Sequence, residues 1–286
     1  MKIGMTADRF RQQGYGQWKD ALYLRLKEQG YSCSNFGMSD TDSILYTCDE
    51  DTALGFLTEE RRLAEVAGVE IVQVHGPWRY PPRDLTEEDR AERMEKMKRS
   101  IRMTAMLGCK NWVVHPIMPY GVQERDCPEA ALTWDLNLSF MRELLDTAKD
   151  CDVTICFENM PFKNFSLSTP SDILRFVKAI DDEHFKICFD TGHVNVFGHI
   201  SVADAVRELG NEIRVLHVHD NKYGEDMHLW PQFGTIDWSA FEQALRDIGY
   251  DGCFMLETAP PSHLSEQLFS EMSVALYHIA DEIANV

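Results

Sequence analysis

Thr154-Ile-Cys-Phe-Glu158 and Lys186-Ile-Cys-Phe-Asp190 share one form: a polar residue, three apolar ones, then a carboxylate. A continuous apolar run of this length reads as a strand buried on both faces, as in a parallel sheet. Two further runs end in the same manner, Arg214-Val-Leu-His217 and Cys253-Phe-Met-Leu-Glu257. A charge on the last residue of a buried strand is costly unless something pairs with it. A divalent cation would do so. Glu158, Asp190, His217 and Glu257 offer hard oxygen donors and one imidazole, a set suited to manganese, magnesium, cobalt or zinc.

Outward from these runs, strand-length apolar segments alternate with stretches of helical spacing along the whole chain. Strands are expected at 2–7, 31–36, 69–75, 111–115, 152–158, 185–190, 213–219 and 252–257. Helices are expected near 17–29, 58–67, 87–107, 129–149, 170–180, 201–209, 238–247 and 263–283. Thr86-Glu-Glu-Asp89, Thr169-Pro-Ser-Asp172 and Asp237-Trp-Ser-Ala240 supply helix start signals. The eightfold alternation predicts an α/β fold, a single (β/α)8 TIM barrel over residues 1–286. An open doubly wound sheet is the alternative, and its dinucleotide-binding form is disfavoured because no Gly-x-Gly-x-x-Gly follows a strand. No linker or low-complexity tract divides the 286 residues, and a barrel commonly uses about 250 residues as one domain.

The formal charge of −19 predicts repulsion of polyanions, so no nucleic-acid partner is expected. The first residues read as a strand and not as a signal peptide, and no apolar run reaches the length of a membrane span, so a cytoplasmic protein without membrane contact is expected. The eight cysteines form no CxxC pair, which favours reduced, buried thiols over a disulfide framework or zinc ribbon. The acidic stretch at 40–51 reads as a solvated loop.

In a barrel the C-terminal ends of the strands converge on one mouth. His75 and His115 end strands three and four, and His193 follows Asp190. Period-two alternation sends His217 and His219 to one side of strand seven, and places Cys156 with Glu158 and Cys188 with Asp190. Aromatic and polar loop residues, Trp78, Arg79, Tyr120, Phe162, Lys163 and Trp230, suit a sugar pocket: aromatic faces pack on sugar C–H groups, and Arg79 or Lys163 would receive a phosphate. Each suits ordinary loop packing equally well.

Five motifs at successive strand ends carry a family resemblance: CFEN at 156–159, CFDTGH at 188–193, LHVHDN at 216–221, DMH at 226–228 with FGTIDW at 233–238, and MLET at 255–258. The chain resembles the xylose isomerase-like TIM barrel superfamily, the sugar phosphate isomerase/epimerase group that also includes the apurinic/apyrimidinic endonucleases of family 2. The resemblance implies one divalent metal held by Glu158, Asp190, His217 and Glu257, with His193 on substrate hydroxyls. It also implies an enlarged ligand set in the three-zinc endonucleases, which adds His75, His115, His193, Asp226 and His228 and allows further zinc. It suggests a small-molecule sugar as substrate and a homo-oligomer.

The expected activity is that of a metal-dependent sugar or sugar phosphate isomerase or epimerase, working by proton transfer through a metal-stabilised enediolate. Glu158 and Glu257, on opposite sides of the barrel, are the expected acid/base pair, with His193 and His219 orienting hydroxyls. Two competing activities use the same residues: a zinc-dependent endonuclease-like phosphodiesterase, and a dehydratase or lyase on a keto-polyol. A non-enzymatic carbohydrate-binding relative would have no need of the two glutamates.

Overall fold

In the computed structural model, residues 1–6, 22–79 and 84–285 are described. The strands are β1 (Lys2–Thr6), β2 (Cys33–Gly37), β3 (Glu70–His75), β4 (Asn111–Val114), β5 (Thr154–Glu158), β6 (Phe185–Asp190), β7 (Ile213–His217) and β8 (Cys253–Leu256). They form one eight-stranded parallel sheet in the order β7-β6-β5-β4-β3-β2-β1-β8. Two hydrogen bonds just beyond the strand ends bring the edges together: the Val218 N–H donates to the Met255 carbonyl at 2.8 Å, and the Glu257 N–H to the Val218 carbonyl at 2.9 Å. The fold is therefore a nearly closed barrel. The expected first strand is present except for Ala7, and the first five residues of the expected first helix, 17–21, also lie outside the described residues.

Nine helices are described: α1 (Leu22–Glu28), α2 (Glu50–Ala67), α3 (Glu87–Met106), α4 (Glu129–Asp150), α5 (Pro170–Ile180), α6 (Thr191–Asn195), α7 (Val202–Leu209), α8 (Trp238–Asp247) and α9 (Glu266–Ala284). Start signals in the sequence act as expected: Thr169 and Asp172 form a reciprocal capping box at α5, and Thr86 caps α3. The acidic stretch is only partly a loop. Asp49 accepts the Thr52 N–H at 2.7 Å and starts α2, and Glu50 and Asp51 occupy its first turn, where carboxylates oppose the positive helix end.

The apolar core lies in two places. Side chains facing outward from the strands pack against the helices, with Trp112, Phe157, Phe185, Phe189 and Phe254 fully buried. Inside the barrel, Val113, Cys156, Cys188 and Val215 make a separate buried cluster, with the two cysteines on the inward side expected from their alternation with Glu158 and Asp190. The remaining cysteines depart from expectation at one point: Cys33 and Cys253 are joined as a disulfide with a Cα–Cα distance of 7.3 Å. They face inward from β2 and β8 on either side of β1, and the space between them exists because residue 4 is glycine. A Cβ there would lie 2.9 Å from the Cys253 Sγ.

Candidate active site

Glu158 is almost wholly buried at the end of β5 and is held between two imidazoles: its Oε1 lies 3.0 Å from His217 Nδ1, and its Oε2 lies 3.0 Å from His115 Nε2. Glu257, just past β8, brings Oε2 to 3.2 Å from the same His217 Nδ1. One ring proton cannot satisfy both carboxylates. Buried His217 Nε2, His219 Nδ1 and Glu257 Oε2 have no hydrogen-bond partner, a condition proteins reserve for places where another group belongs. One ligand atom each from Glu158, Asp190, His217 and Glu257 lies within 4.8 Å of the others. The four residues fit a divalent cation.

Asp190 is fixed by its own strand end. Its Oδ1 accepts the His193 N–H at 2.6 Å and so starts the short α6, which turns the His193 ring back over the mouth. Asn159 clamps the same residue from β5: its Oδ1 accepts the Asp190 N–H at 2.9 Å, its Nδ2 donates to the Asp190 carbonyl at 3.0 Å, and its carbonyl lies 2.7 Å from His193 Nδ1. His219 Nε2 lies 3.1 Å from Asp190 Oδ2. Its ring passes directly over Gly192, where a Cβ would stand 2.0 Å from the imidazole. The glycine of CFDTGH is thus required by close approach.

Asp226 and His228 arrive from the loop after β7, held by two buried residues within LHVHDN. Asn221 Oδ1 accepts the backbone N–H groups of Met227 at 2.6 Å and His228 at 3.1 Å. Asp220 accepts from the N–H groups of Thr235 at 3.0 Å and Ile236 at 3.2 Å, and from Trp238 Nε1 at 2.8 Å, which ties FGTIDW to the barrel. Asp226 Oδ2 then reaches to 3.4 Å from His193 Nε2 and 3.5 Å from His228 Nε2. His228 stacks on His219 at 4.1 Å and places Nδ1 2.9 Å from the Glu257 carbonyl. On the opposite rim His75 Nε2 lies 3.2 Å from His115 Nε2, and Trp78 meets the His115 ring edge-on at 4.2 Å.

Electrostatics divide the histidines by surroundings. Burial drives the His115 pKa down to about 4. Burial disfavours the charged forms of His193 and His217 too, but neighbouring acidic groups, Asp190 for the first and Cys188, Glu257 and Glu158 for the second, raise both well above the ordinary value. His228, where burial is outweighed by its contact with Asp226, is raised to about 9. Burial likewise works against ionised Glu158, yet His217 and His115 hold it well below the usual carboxylate range. Asp190 goes the other way: burial outweighs its histidines and raises it. Glu158 therefore draws positive charge from the imidazoles beside it, and at Asp190 theirs does not offset burial.

A cavity of about 440 Å³ lies at the C-terminal end of the barrel, with Trp78, Met160 and Phe162 in its wall, while Asp190, His217 and His219 are fully buried and stand outside that wall. His75, His115, Glu158, His193, Asp226, His228 and Glu257 all contribute to its wall. Trp78 stands where a pocket residue should, but Lys163 and Trp230 are not among the lining residues. Lys163 is exposed, and the Trp230 Nε1 donates to the Ala259 carbonyl at 3.3 Å instead. Arg79 is taken up by Thr41 at 2.5 Å and Glu92 at 3.3 Å. Among the described residues no lysine or arginine lines this cavity. Asn35, Asn159 and Asn221 escaped the sequence reading as site residues. The last two lie inside CFEN and LHVHDN, and only their hydrogen bonds mark them as the residues that aim the others.

Comparison with known proteins agrees with this architecture. An uncharacterized protein of Methanocaldococcus jannaschii is 32% identical over 192 residues, 66% of this chain and 64% of that protein. The D-psicose 3-epimerase of Enterocloster bolteae is 36% identical over 118 residues, 41% of this chain and 37% of the enzyme. The matched stretches thus span less than two thirds of either relative. A solved structure described as a D-tagatose 3-epimerase-like protein superposes with a TM-score of 0.74 at 25% identity, covering 100% of this chain and 98% of that one. Among the described residues no helix is long and apolar enough to cross a membrane. The family model of the xylose isomerase-like TIM barrel matches residues 23–273, and with its ring of parallel strands the chain belongs to that family.

Proposed function

We propose that this chain is a divalent-metal-dependent isomerase or epimerase of a neutral sugar, with Glu158, Asp190, His217 and Glu257 as the metal ligands and Glu158 and Glu257 as the acid/base pair. One observation carries the reading: the four donors converge within 4.8 Å, with orphaned buried polar atoms, and two of them, Glu158 and Glu257, stand in the wall of the mouth cavity. When bound, the cation supplies Lewis-acid polarisation of a substrate carbonyl and its neighbouring oxygen. The chain's own residues do the rest. Glu158 and Glu257 stand on strands β5 and β8 and address a bound sugar from different sides, as proton removal and return on opposite faces require. His217 and His115 keep Glu158 ionised, the form that accepts a proton. His193 and His219 orient hydroxyls, and Trp78 and Phe162 offer apolar faces to the sugar ring.

We take the substrate to be an uncharged sugar, because the described wall offers carboxylates, histidines and aromatic faces and no lysine or arginine. The direct test is metal analysis of the purified protein followed by deuterium wash-in from solvent into free and phosphorylated ketoses. Exchange at the carbon beside the carbonyl of a free ketose, abolished by chelation and restored by metal, is the expected result. Exchange with none of them would overturn the reading, and loss of water from the product would move it to a dehydratase.

A second reading rests on the additional donor groups His75/His115/Glu158 and His219/Asp226/His228, each with ligand atoms inside the same 4.8 Å limit. They support further zinc ions, and with them an endonuclease-like phosphodiester hydrolysis. About one exchangeable metal per chain favours the sugar enzyme. Near three zinc ions with cleavage of abasic DNA favours the hydrolase.

A further inference from the structure

A cavity larger than that of the mouth lies at the opposite end of the barrel. It occupies about 920 Å³ under the N-terminal ends of the strands, and Gln73, Asn111 and Arg214 lie in its wall. The arginine owes its place to a fault in the sheet. Ile187 pairs with Ile213 and Cys188 with Val215, so β7 carries one extra residue, Arg214, opposite β6. Such a bulge re-aims the side chain it inserts. Arg214 crosses the barrel floor to β4, where its Nε donates to Asn111 Oδ1 at 2.8 Å, and Asn111 is spent in turn on the Val72 carbonyl at 2.7 Å.

The other cations of this wall are neutralised one for one: Lys2 by Glu70 at 2.5 Å, Lys186 by Glu212 at 2.6 Å, and Lys110 by Asp152. Among the described residues Arg214 alone of them has no carboxylate, and its two terminal nitrogens make no hydrogen bond. A second group is also left open. Gln73 on β3, one pleat below His75, has no exposure, and both Oε1 and Nε2 lack a partner. A fully buried primary amide with neither end satisfied is costly, and a ligand group that meets it removes that cost. Asn111 is the next residue along the floor from Gln73, because His75 pairs with Val113 and Val74 with Trp112. The uncommitted guanidinium edge and the orphaned amide therefore belong to one corner of one cavity.

We propose that this corner is a second ligand site, one that binds a small metabolite through an oxyanion, a carboxylate or a phosphate, on Arg214, with a hydrogen-bonding group of the ligand meeting Gln73. A guanidinium presents two parallel N–H groups matched to such an oxyanion. Glu183 and Asp251 also stand in this wall, so an oxyanion there depends on the directed N–H groups of Arg214, while the net charge of −19 is largely screened beyond about 10 Å. The site is separate from the mouth, divided from it by the apolar layer of Val113, Cys156, Cys188 and Val215.

The test is calorimetric titration of the full metal-loaded chain with inorganic phosphate and, separately, with succinate. Saturable binding of one molecule per chain is expected for at least one probe. Phosphate alone identifies a phosphate monoester as the natural ligand chemistry, and succinate alone a carboxylate. Arg214→Met should weaken that binding by about tenfold or more, the value of a lost charge-assisted pair. Arg214→Lys, which keeps the charge and serves should the methionine variant not fold, should weaken it less than the methionine does but measurably. Glu158→Gln should leave it unchanged. Absence of saturable binding, equal affinity in wild type and the Arg214 variants, or loss with Glu158→Gln in place of Arg214 would overturn the proposal.

Discussion

The two ends of this barrel are both rich in charge and handle it in opposite ways. At the mouth, carboxylates and histidines are buried and share partners: Glu158 serves His115 and His217, and Asp190 serves His193 and His219. On the floor, Lys2 with Glu70 and Lys110 with Asp152 stand as separate, solvent-exposed couples. A shared buried charge is expensive, and removing one member leaves the others uncompensated. An exposed couple contributes little. The mouth is thus built for a ligand that completes it, and on the floor Arg214 is the one lysine or arginine of the cavity wall without a carboxylate partner among the described residues.

The largest expected effect lies at the mouth. Glu158→Gln keeps the shape and removes the charge, and it should slow solvent deuterium wash-in by roughly 10²–10⁴-fold, the usual contribution of a positioned acid or base. Wild-type exchange in a metal-loaded Glu158→Gln protein would break the contrast between the two ends. Chelation should come next. A ligand present at about a hundred times its Kd stabilises the fold by about 2.7 kcal/mol, so removal of the metal should lower the melting temperature measured by calorimetry, and re-addition should restore it.

Gly192→Ala should destabilise by about 1–3 kcal/mol in a denaturant titration, as overpacking does, because its Cβ would have to displace the His219 ring. Loss of Asp190–His219 alignment should lower exchange activity in parallel.

Alkaline pH probes the lower half of the molecule. Burial lifts the Cys109 thiol from 9.0 to about 12, so the fold favours its neutral form. That contribution to stability is fully present below about pH 9 and is lost as pH rises through about 12, since the unfolded chain ionises first. Thiol labelling should follow the same logic, with exposed Cys127 reacting at once and Cys109, Cys156 and Cys188 only on unfolding. The smallest effect belongs to the floor couples: Lys2→Met should change stability by about 1 kcal/mol or less in a denaturant titration. A larger loss would mean that the two ends are less different than they look.

Much of the mouth was legible in the chain because a buried strand has a simple grammar. Period-two alternation with a charge at the last position is visible locally, and repetition through strands β5 to β8 points those charges at one another whatever the loops do. Cys156 and Cys188 were placed correctly beneath Glu158 and Asp190 for the same reason. Loop residues obey no such rule. Trp78 lines the cavity, while Trp230 and Lys163 do not, and nothing in their neighbours separates the three, since a loop's path depends on what it packs against.

By itself, then, the sequence determined the alternation of strands and helices, the inward face of each strand and the residues that end at the mouth, because these follow from local periodicity. The tertiary structure alone decided which groups meet across strands distant in the chain. The Asn159 clamp on Asp190, the start of α6 on the Asp190 side chain, the Cys33–Cys253 pairing around Gly4 and the bulge that throws Arg214 across the floor all depend on register. Register between strands is a property of the closed sheet, where a shift of one residue turns every side chain to the other face, and no single segment encodes it.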